Sequence, residues 1–161
     1  MKPLRIYLDT SVINFLFAED VPLWREATVK FLEQVARGAH TAYVSQVVVR
    51  EIERTPDPVR REALLNAIRK NRLQFLPVEP VAEVRELAKA YLQAGIIPPK
   101  AEDDAVHVAI ATVNEVDVLV SWNFKHLANV HRERRIAVVN ESLGYVYPLR
   151  ITSPLEVMNY G

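Results

Sequence analysis

Three acidic residues that lie far apart in the sequence are the side chains best suited to chemistry in this chain. Asp9 follows the apolar run Arg5-Ile6-Tyr7-Leu8, Glu51 lies in a predicted helix, and Asp104 begins another helix. If the fold brings carboxylates to about 4 Å at an effective dielectric constant near 20, each pair costs roughly 4 kcal/mol, so a cluster must hold a proton or a cation. Mg²⁺ or Mn²⁺, which prefer oxygen ligands, fit such a cluster best. The three acids therefore predict one metal site.

Each acid also has a common structural role when it is considered alone. Asp before a helix is a frequent cap, which suits Asp9. A helical Glu such as Glu51 usually lies in solvent and pairs with a neighbouring cation. Asp103 and Asp104 lie in the first turn of a predicted helix, where the helix dipole stabilises negative charge. The metal hypothesis therefore depends on a fold that brings the acids together.

The composition limits the classes of protein that fit. The chain has 161 residues, half of them hydrophobic, and we expect residues 1–161 to form a single domain with a sizeable core. Twenty basic residues balance twenty acidic ones, so a nucleic acid would have to bind a local basic patch. The absence of cysteine excludes disulfides and thiolate chemistry.

No segment has the character of a signal peptide or a membrane helix. The first nine residues contain no long apolar core, and the uncharged run 105–114 is far shorter than the roughly 20 residues that a membrane helix needs. We therefore expect a soluble, cytoplasmic protein without a membrane partner.

Short apolar runs alternate with helical patterns along the chain. Strands are predicted at 5–8, 41–44, 73–78, 117–122 and 136–139, and helices at 12–17, 22–37, 46–54, 58–70, 81–94 and 105–115. This alternation favours an α/β fold with a mostly parallel sheet flanked by helices. Because sites in such folds form where the strands end, we expect Asp9 and the segment Ser121-Trp122-Asn123 to share one edge of the sheet.

Several other side chains are predicted to be structural. Leu23 and Val59 lie on the apolar stripes of two helices and are expected in the core. His107 interrupts an apolar helix and is expected to be packed or at the surface, not a ligand. Trp122 is expected to be structural, with stacking on a nucleic-acid base as the alternative.

Four short motifs in order resemble the pattern of PIN-domain nucleases. They are Tyr7-Leu8-Asp9-Thr10-Ser11, Val48-Val49-Arg50-Glu51, Asp104-Ala105-Val106-His107-Val108-Ala109 and Leu119-Val120-Ser121-Trp122-Asn123. Each motif is short, but the four in sequence order are fairly specific. The nearest group by resemblance is the VapC-like toxins and related stand-alone prokaryotic PIN proteins. The resemblance covers essentially the whole chain and implies a three-layer α/β/α fold.

The resemblance implies a metal-dependent ribonuclease that uses Mg²⁺ or Mn²⁺. It assigns Asp9, Glu51 and Asp104 as metal ligands and catalytic residues, and it favours Asp104 over Asp103 because small residues follow Asp104 along the helix. Asn123 stands where many members have a fourth acid. Because a neutral amide coordinates more weakly than a carboxylate, a second metal is less secure than the first.

Resemblance and local charge together indicate substrate contacts and partners. Ser11 is expected to position water, and Arg50, Lys125 and His126 are expected to contact phosphates of an RNA substrate. A further basic cluster lies at 131–135. The toxin resemblance implies an antitoxin protein that masks the site, and a homodimer.

Two other functions are compatible with the sequence. A PIN-like module that binds RNA or a protein partner through an inactive metal site would explain the neutral Asn123. An aspartyl-phosphate phosphatase also places its nucleophilic Asp after a first strand, but such sites usually carry a second Asp two residues later, where this chain has Ser11.

Overall fold

In the computed structural model, which describes residues 3–158, five parallel strands form one sheet. The strands are β1 (Arg5–Leu8), β2 (Thr41–Val44), β3 (Gln74–Phe75), β4 (Val118–Val120) and β5 (Arg150–Thr152). Their order across the sheet is β3-β2-β1-β4-β5, so β1 is central. All four neighbouring pairs are parallel, which agrees with the crossover connections that the sequence predicts.

Helices cover both faces of this sheet. They are α1 (Thr10–Phe15), α2 (Pro22–Ala36), α3 (Gln46–Glu53), α4 (Pro58–Lys70), α5 (Val81–Gln93), α6 (Glu102–Val113), α7 (Val130–Ser142) and α8 (Pro154–Val157). Among the residues that the structure describes, no helix has both the length and the hydropathy needed to cross a bilayer.

The central strand shows why the sheet is buried on both sides. Successive side chains of a strand point to opposite faces. Ile6 and Leu8 belong to a core with α1, α2 and α4, whereas Tyr7 belongs to a second core with α5 and α6. All three side chains are fully buried. The result is the predicted three-layer α/β/α fold.

The fold places the end of β1 beside the end of β4. The backbone N–H of Asp9 donates to the carbonyl oxygen of Val120 at 3.3 Å, which continues the pairing of the two strands by one residue. The chain then turns directly into α1, and the Asp9 side chain caps this helix by accepting the backbone N–H of Ser11. The acid is thus fixed at the carboxyl edge of the central strand.

The predicted strand at 136–139 is wrong, because these residues lie inside α7. Four apolar residues in a row do not distinguish a strand from a helix, and only Ile136 of them is buried, whereas Val138 is 68% exposed. The side chain of Asn129 caps this helix by accepting the N–H of Arg132 at 2.9 Å. The fifth strand is instead β5, which was not predicted.

Two predicted core positions are also wrong. Leu23 and Val59 are 78% and 79% exposed, since both lie near the beginning of their helices and outside the packed stripes. The predicted strand at 73–78 shortens to β3, with Leu76 still buried behind it. The other predicted elements are present, with ends that differ by a few residues.

Candidate active site

Asp9 is a buried carboxylate at the centre of the edge where the strands end. It is 3% exposed, and its Oδ1 accepts the backbone N–H of Ser11 at 3.0 Å and the Ser11 hydroxyl at 2.5 Å. Burial raises the pKa of Asp9, although the positive charge of His107 and hydrogen bonds from Ser11 and Ser121 act in the opposite direction. The helix cap predicted for Asp9 is present, and the same residue is also an unusually buried carboxylate.

Ser11 connects Asp9 to the segment after β4. Its hydroxyl donates to Asp9 and accepts the backbone N–H of Trp122 at 2.9 Å. The Ser121 hydroxyl lies 3.5 Å from the Ser11 hydroxyl and accepts the backbone N–H of Asn123 at 2.9 Å. The two serines therefore hold Asp9 and Asn123 at a fixed distance from each other.

Asp104 lies in the first turn of α6 and faces Asn123. Its Oδ2 accepts the side-chain amide N–H of Asn123 at 3.0 Å, and the amide oxygen of Asn123 accepts the backbone N–H of His126 at 2.9 Å. Burial raises the pKa of Asp104 to about 6, and the negative charges of Asp9 and Glu51 contribute to this shift. The structure thus brings Asp9 and Glu51 within electrostatic range of Asp104.

Asp103 has different surroundings from its neighbour Asp104. Its carboxylate is half exposed and forms an ion pair with the guanidinium group of Arg54 at 3.3 Å. The pairing attaches the beginning of α6 to the end of α3. Of the two neighbouring acids, Asp104 is therefore the one that hydrogen bonds with Asn123.

Glu51 projects from α3 and binds a buried histidine. Nε2 of His107 lies 2.5 Å from Oε1 of Glu51, and Nδ1 lies 2.8 Å from the Tyr7 hydroxyl. The Tyr7 hydroxyl is in turn 2.7 Å from the Ser45 hydroxyl. With a protonated ring, both nitrogens of His107 donate, and the Tyr7 hydroxyl donates its own hydrogen bond to the Ser45 hydroxyl. Four side chains therefore form one continuous network.

The charges in this network favour an ion pair. Burial alone would raise the pKa of Glu51, but the hydrogen bond and the charge of His107 outweigh it, so the pKa is lowered. Burial alone would lower the pKa of His107, but the bond to Glu51 and the charges of Glu51, Asp9 and Asp104 outweigh it, so the pKa is raised. A protonated His107 accordingly partly neutralises the negative charge of the edge.

His107 is a residue that sequence reasoning undervalued. It is 1% exposed, as a packed histidine would be, but it binds one of the predicted acids directly. Its position one helical turn after Asp104, on the same helix face, was the available signal. The partners Tyr7 and Ser45 come from two other elements, so no spacing in the sequence could have revealed the network.

The donor set fits a hard cation in part. Asp9 and Asp104 offer carboxylate oxygens. Burial raises the pKa of both groups, and the neighbouring acids raise that of Asp104 further. A divalent cation would reduce the free-energy cost of ionising them. Glu51 is instead bound to His107. Within residues 3–158, no three potential ligands converge closely enough to enclose an ion. Asp9 and Asp104 are thus the two acids whose ionisation a cation would favour, whereas Glu51 is already ionised beside His107.

The predicted substrate contacts lie on α3 and on the loop after β4. Arg50 is exposed on α3 beside Glu51, and Lys125 is exposed two residues after Asn123. His126 is half buried and linked to Asn123 through its backbone. Burial lowers the pKa of His126, and the positive charges of Lys125, Arg132 and Lys100 lower it further. Lys100 was not among the predicted residues.

Comparison with known proteins identifies the family of the chain and similar folds. A sequence model of the PIN domain family matches residues 6–130. The fold is similar to a chain in the crystal structure of VapBC2 from Rickettsia felis bound to a DNA fragment from their promoter, with a TM-score of 0.61 and 16% sequence identity. That match covers 93% of this chain and 98% of the other, and at such low identity it concerns the fold alone. No curated protein matches the chain.

The family match spans most of the chain and includes every acid described above. Asp9, Glu51, Asp104 and Asn123 all lie between residues 6 and 130. The parallel sheet is the one that the resemblance implies, and Asp9 directly follows its central strand. The chain belongs to the PIN domain family, whose members are generally nucleases.

Proposed function

We propose that this protein is a metal-dependent endoribonuclease that hydrolyses RNA phosphodiester bonds. The main support is the placement of Asp9 and Asp104, two carboxylates from distant parts of the chain, at one edge of the sheet. Burial and the charge of Asp9 raise the pKa of Asp104 to about 6. A strongly shifted pKa is typical of functional sites. Membership of the PIN domain family supports the same conclusion.

Asp9 and Asp104 would hold Mg²⁺ or Mn²⁺, with Glu51 contributing directly or through water. When bound, the cation acts as a Lewis acid that neutralises negative charge on the phosphoryl oxygens and lowers the pKa of a bound water. Asn123 would keep Asp104 in place through the hydrogen bond from its amide N–H. Because its amide oxygen is a weaker metal ligand than a carboxylate, a second metal site would be weak. The chain thus offers more for one metal than for two.

The other residues of the edge have assigned tasks in this proposal. Glu51 stays ionised beside His107 and would accept a hydrogen bond from the attacking water. Ser11, which already binds Asp9, would position that water. Arg50, Lys125 and His126 would contact the phosphates of the RNA, which gives affinity without base preference.

The direct test is cleavage of a mixed RNA pool with Mn²⁺, with Mg²⁺ and with chelator. Wild-type protein is expected to cleave only when metal is present. Asp9→Asn, purified identically, should lose this activity, because the neutral side chain keeps the cap but not the charge. Cleavage that survives in chelator would contradict a metal-dependent reaction.

We further propose that the protein is the toxin of a type II toxin–antitoxin pair and acts in the cytoplasm. A groove between α2 and α4 is lined mainly by apolar side chains, including Leu16, Phe17, Val29, Leu32 and Ala67. This groove would receive an apolar helix of an antitoxin. Support comes from the similar fold in the VapBC2 structure. Co-purification with the product of a neighbouring reading frame, lost in Val29→Glu, would test this partner.

A homodimer and a single domain spanning residues 1–161 complete the proposal. Sedimentation of the purified chain tests the first, and a single cooperative unfolding transition tests the second. A single species of monomer mass at every concentration would contradict the homodimer, and two separate unfolding transitions would contradict the single domain.

A second function is favoured by one observation. Asn123 donates its amide N–H to Asp104, and Glu51 is bound to His107, so within residues 3–158 no three potential ligands converge closely enough to enclose an ion. A module that binds RNA without cleaving it would have this property. RNA binding by wild-type protein with no cleavage in either metal would select that function.

A further inference from the structure

Four aromatic rings form a cluster beside the acidic edge. Phe15 from α1, Trp24 from α2 and Trp122 stack nearly parallel, with ring centres 5.0 to 5.7 Å apart. Phe124 packs edge-on against both indoles, at 5.4 Å from Trp24 and 6.0 Å from Trp122. The rings therefore hold Phe124 in a defined orientation.

The two ends of this cluster have different roles. Trp122 is 4% exposed, and its indole N–H donates to the hydroxyl of Thr28 at 2.8 Å, so it is structural as predicted. Phe124 remains 38% exposed, although it belongs to a cluster with three other aromatic rings. A base could not reach Trp122, but it could lie on the open part of the Phe124 ring.

The position of Phe124 connects the cluster to the proposed site. It follows Asn123, whose side chain binds Asp104. Consecutive Cα atoms are about 3.8 Å apart, so a nucleotide next to the bond being cleaved could reach the ring. The loop is also anchored from the other side, because the side chain of Asn129 donates to the carbonyl oxygen of Phe124 at 2.7 Å.

Basic side chains gather around His126, two residues after Phe124. Lys125 follows it directly, and Lys125, Arg132 and Lys100 are all close enough to His126 to act on its charge. These cations come from the loop, from α7 and from the segment before α6. An exposed aromatic ring next to converging cations is the combination with which proteins bind single-stranded nucleic acid.

We infer that Phe124, Lys125, Arg132 and Lys100 form a single-strand track, in which one base of the RNA stacks on Phe124 and the flanking phosphates contact the three cations. The inference deepens the proposed nuclease function and rests on it for the identity of the substrate. It assigns to Phe124 a substrate contact that none of the acids provides.

Binding of a labelled, mixed-sequence single-stranded RNA in the presence of chelator tests the track without cleavage. Phe124→Ala is expected to weaken binding about 5- to 100-fold, as loss of one base stack does. Phe124→Tyr keeps a ring and should bind nearly as the wild type does. Phe75→Ala is the matched control, because Phe75 is a similarly exposed Phe, at 45%, on the edge strand β3.

The cations are tested by the salt dependence of the same binding. Each phosphate contact that is lost should reduce the slope of log affinity against log salt by about 0.7 for a single strand. Lys125→Gln and Lys100→Gln are expected to show this reduction. Lys89→Gln, an exposed lysine on α5, is expected to leave the slope unchanged.

Tryptophan fluorescence gives an independent measurement. The chain has two tryptophans, Trp24 and Trp122, and both contact Phe124. RNA should therefore quench or shift the emission, and an RNA of equal length without bases should do so much less. Thermal unfolding of each variant separates loss of binding from loss of fold.

The outcomes separate the track from the nuclease function. Equal RNA affinity of Phe124→Ala and Phe75→Ala, with unchanged fluorescence, would overturn the track even if the wild type cleaves RNA. Binding that depends on Phe124 without cleavage in Mn²⁺ or Mg²⁺ would support the track and overturn the nuclease proposal.

Discussion

At the scale of single residues, the acidic edge is defined by how its charges are balanced within the protein. Asp9 and Asp104 are carboxylates whose ionisation is costly, whereas Glu51 is stabilised by His107. The contrast explains why acids that look alike in the sequence should respond differently to mutation. Two predictions follow from the environments of Asp104 and His107.

Asp104→Asn is expected to stabilise the metal-free protein at neutral and alkaline pH. The folded-state pKa of Asp104 is about 6, above its ordinary value of 3.8, so folding is penalised above about pH 6 and the penalty disappears below the ordinary value. Allowing for the exposed part of the side chain, the gain at pH 8 is about 1 to 2 kcal/mol, or roughly 2–8 °C in Tm.

The measurement is thermal unfolding of wild type and Asp104→Asn in chelator between pH 4 and pH 8. The difference in Tm should shrink as the pH falls. A wild type that is the more stable protein at pH 8 would contradict a costly ionised Asp104. Asp103→Asn, which removes an exposed ion pair, is the control and should change stability little.

His107→Leu tests the network that holds Glu51. The change leaves Glu51 and Tyr7 without their shared partner, and an unpaired buried polar group costs about 1 to 3 kcal/mol. RNA cleavage should also fall about 10- to 100-fold, as for partners that orient metal-site ligands. His131→Leu, at an exposed position on α7, should change neither property. If a folded His107→Leu protein cleaves RNA as fast as the wild type, the hydrogen bond from His107 to Glu51 is not needed for activity, which would contradict this prediction.

At the scale of elements, the sequence predicted the edge at which Asp9 lies, but it did not predict α7 or β5. Asp9 could be placed because a buried strand must end at the edge where a parallel sheet carries its sites. The secondary structure of residues 136–139 could not be predicted, because a run of four apolar residues has no period that distinguishes a strand from a helix. Exposure of Val138 on α7 also runs against the expectation that apolar residues are buried. The pairing of His107 with Glu51 depends on how α6 packs near α3, which local sequence does not encode.

Asn129→Ala is expected to destabilise the start of α7 and the loop before it. Its side chain accepts the N–H of Arg132 and donates to the carbonyl oxygen of Phe124. Loss of a helix cap costs about 1 kcal/mol, which lowers Tm by roughly 2–4 °C in a chain of this size. Asn129→Asp keeps the cap acceptor but not the donor, so its stability should be intermediate. Equal Tm values for wild type and Asn129→Ala would contradict the cap.

At the scale of the whole molecule, charge is neutral overall but is separated locally. Acids collect where β1 and β4 end, and cations collect around His126 next to them. In the proposed function, a chain without net charge binds a polyanion at one face while its acids lie at the bond to be cleaved. If a divalent cation binds only the assembled edge, as proposed, its binding should raise the stability of the entire fold.

Mn²⁺ is expected to raise the Tm of wild-type protein but not that of Asp9→Asn. A ligand present at a hundred times its Kd stabilises a protein by about 2.7 kcal/mol, which corresponds to roughly 5–10 °C here. Thermal unfolding against Mn²⁺ concentration measures the effect, and Ca²⁺ or Mg²⁺ can be compared in the same way. An identical rise in Asp9→Asn would place the metal elsewhere.

The measurement that tests the central claim most directly is metal-dependent RNA cleavage by Asp104→Asn and Asp103→Asn, side by side. The two acids are neighbours in the sequence, but Asp104 faces Asn123 and is affected by Asp9, whereas Asp103 pairs with Arg54 at the surface. Asp104→Asn should lose at least about 100-fold in rate, the order found when one catalytic electrostatic group is removed, and Asp103→Asn should cleave nearly as the wild type does. Equal losses in the two variants, or loss in Asp103→Asn alone, would contradict an active site built on Asp9 and Asp104.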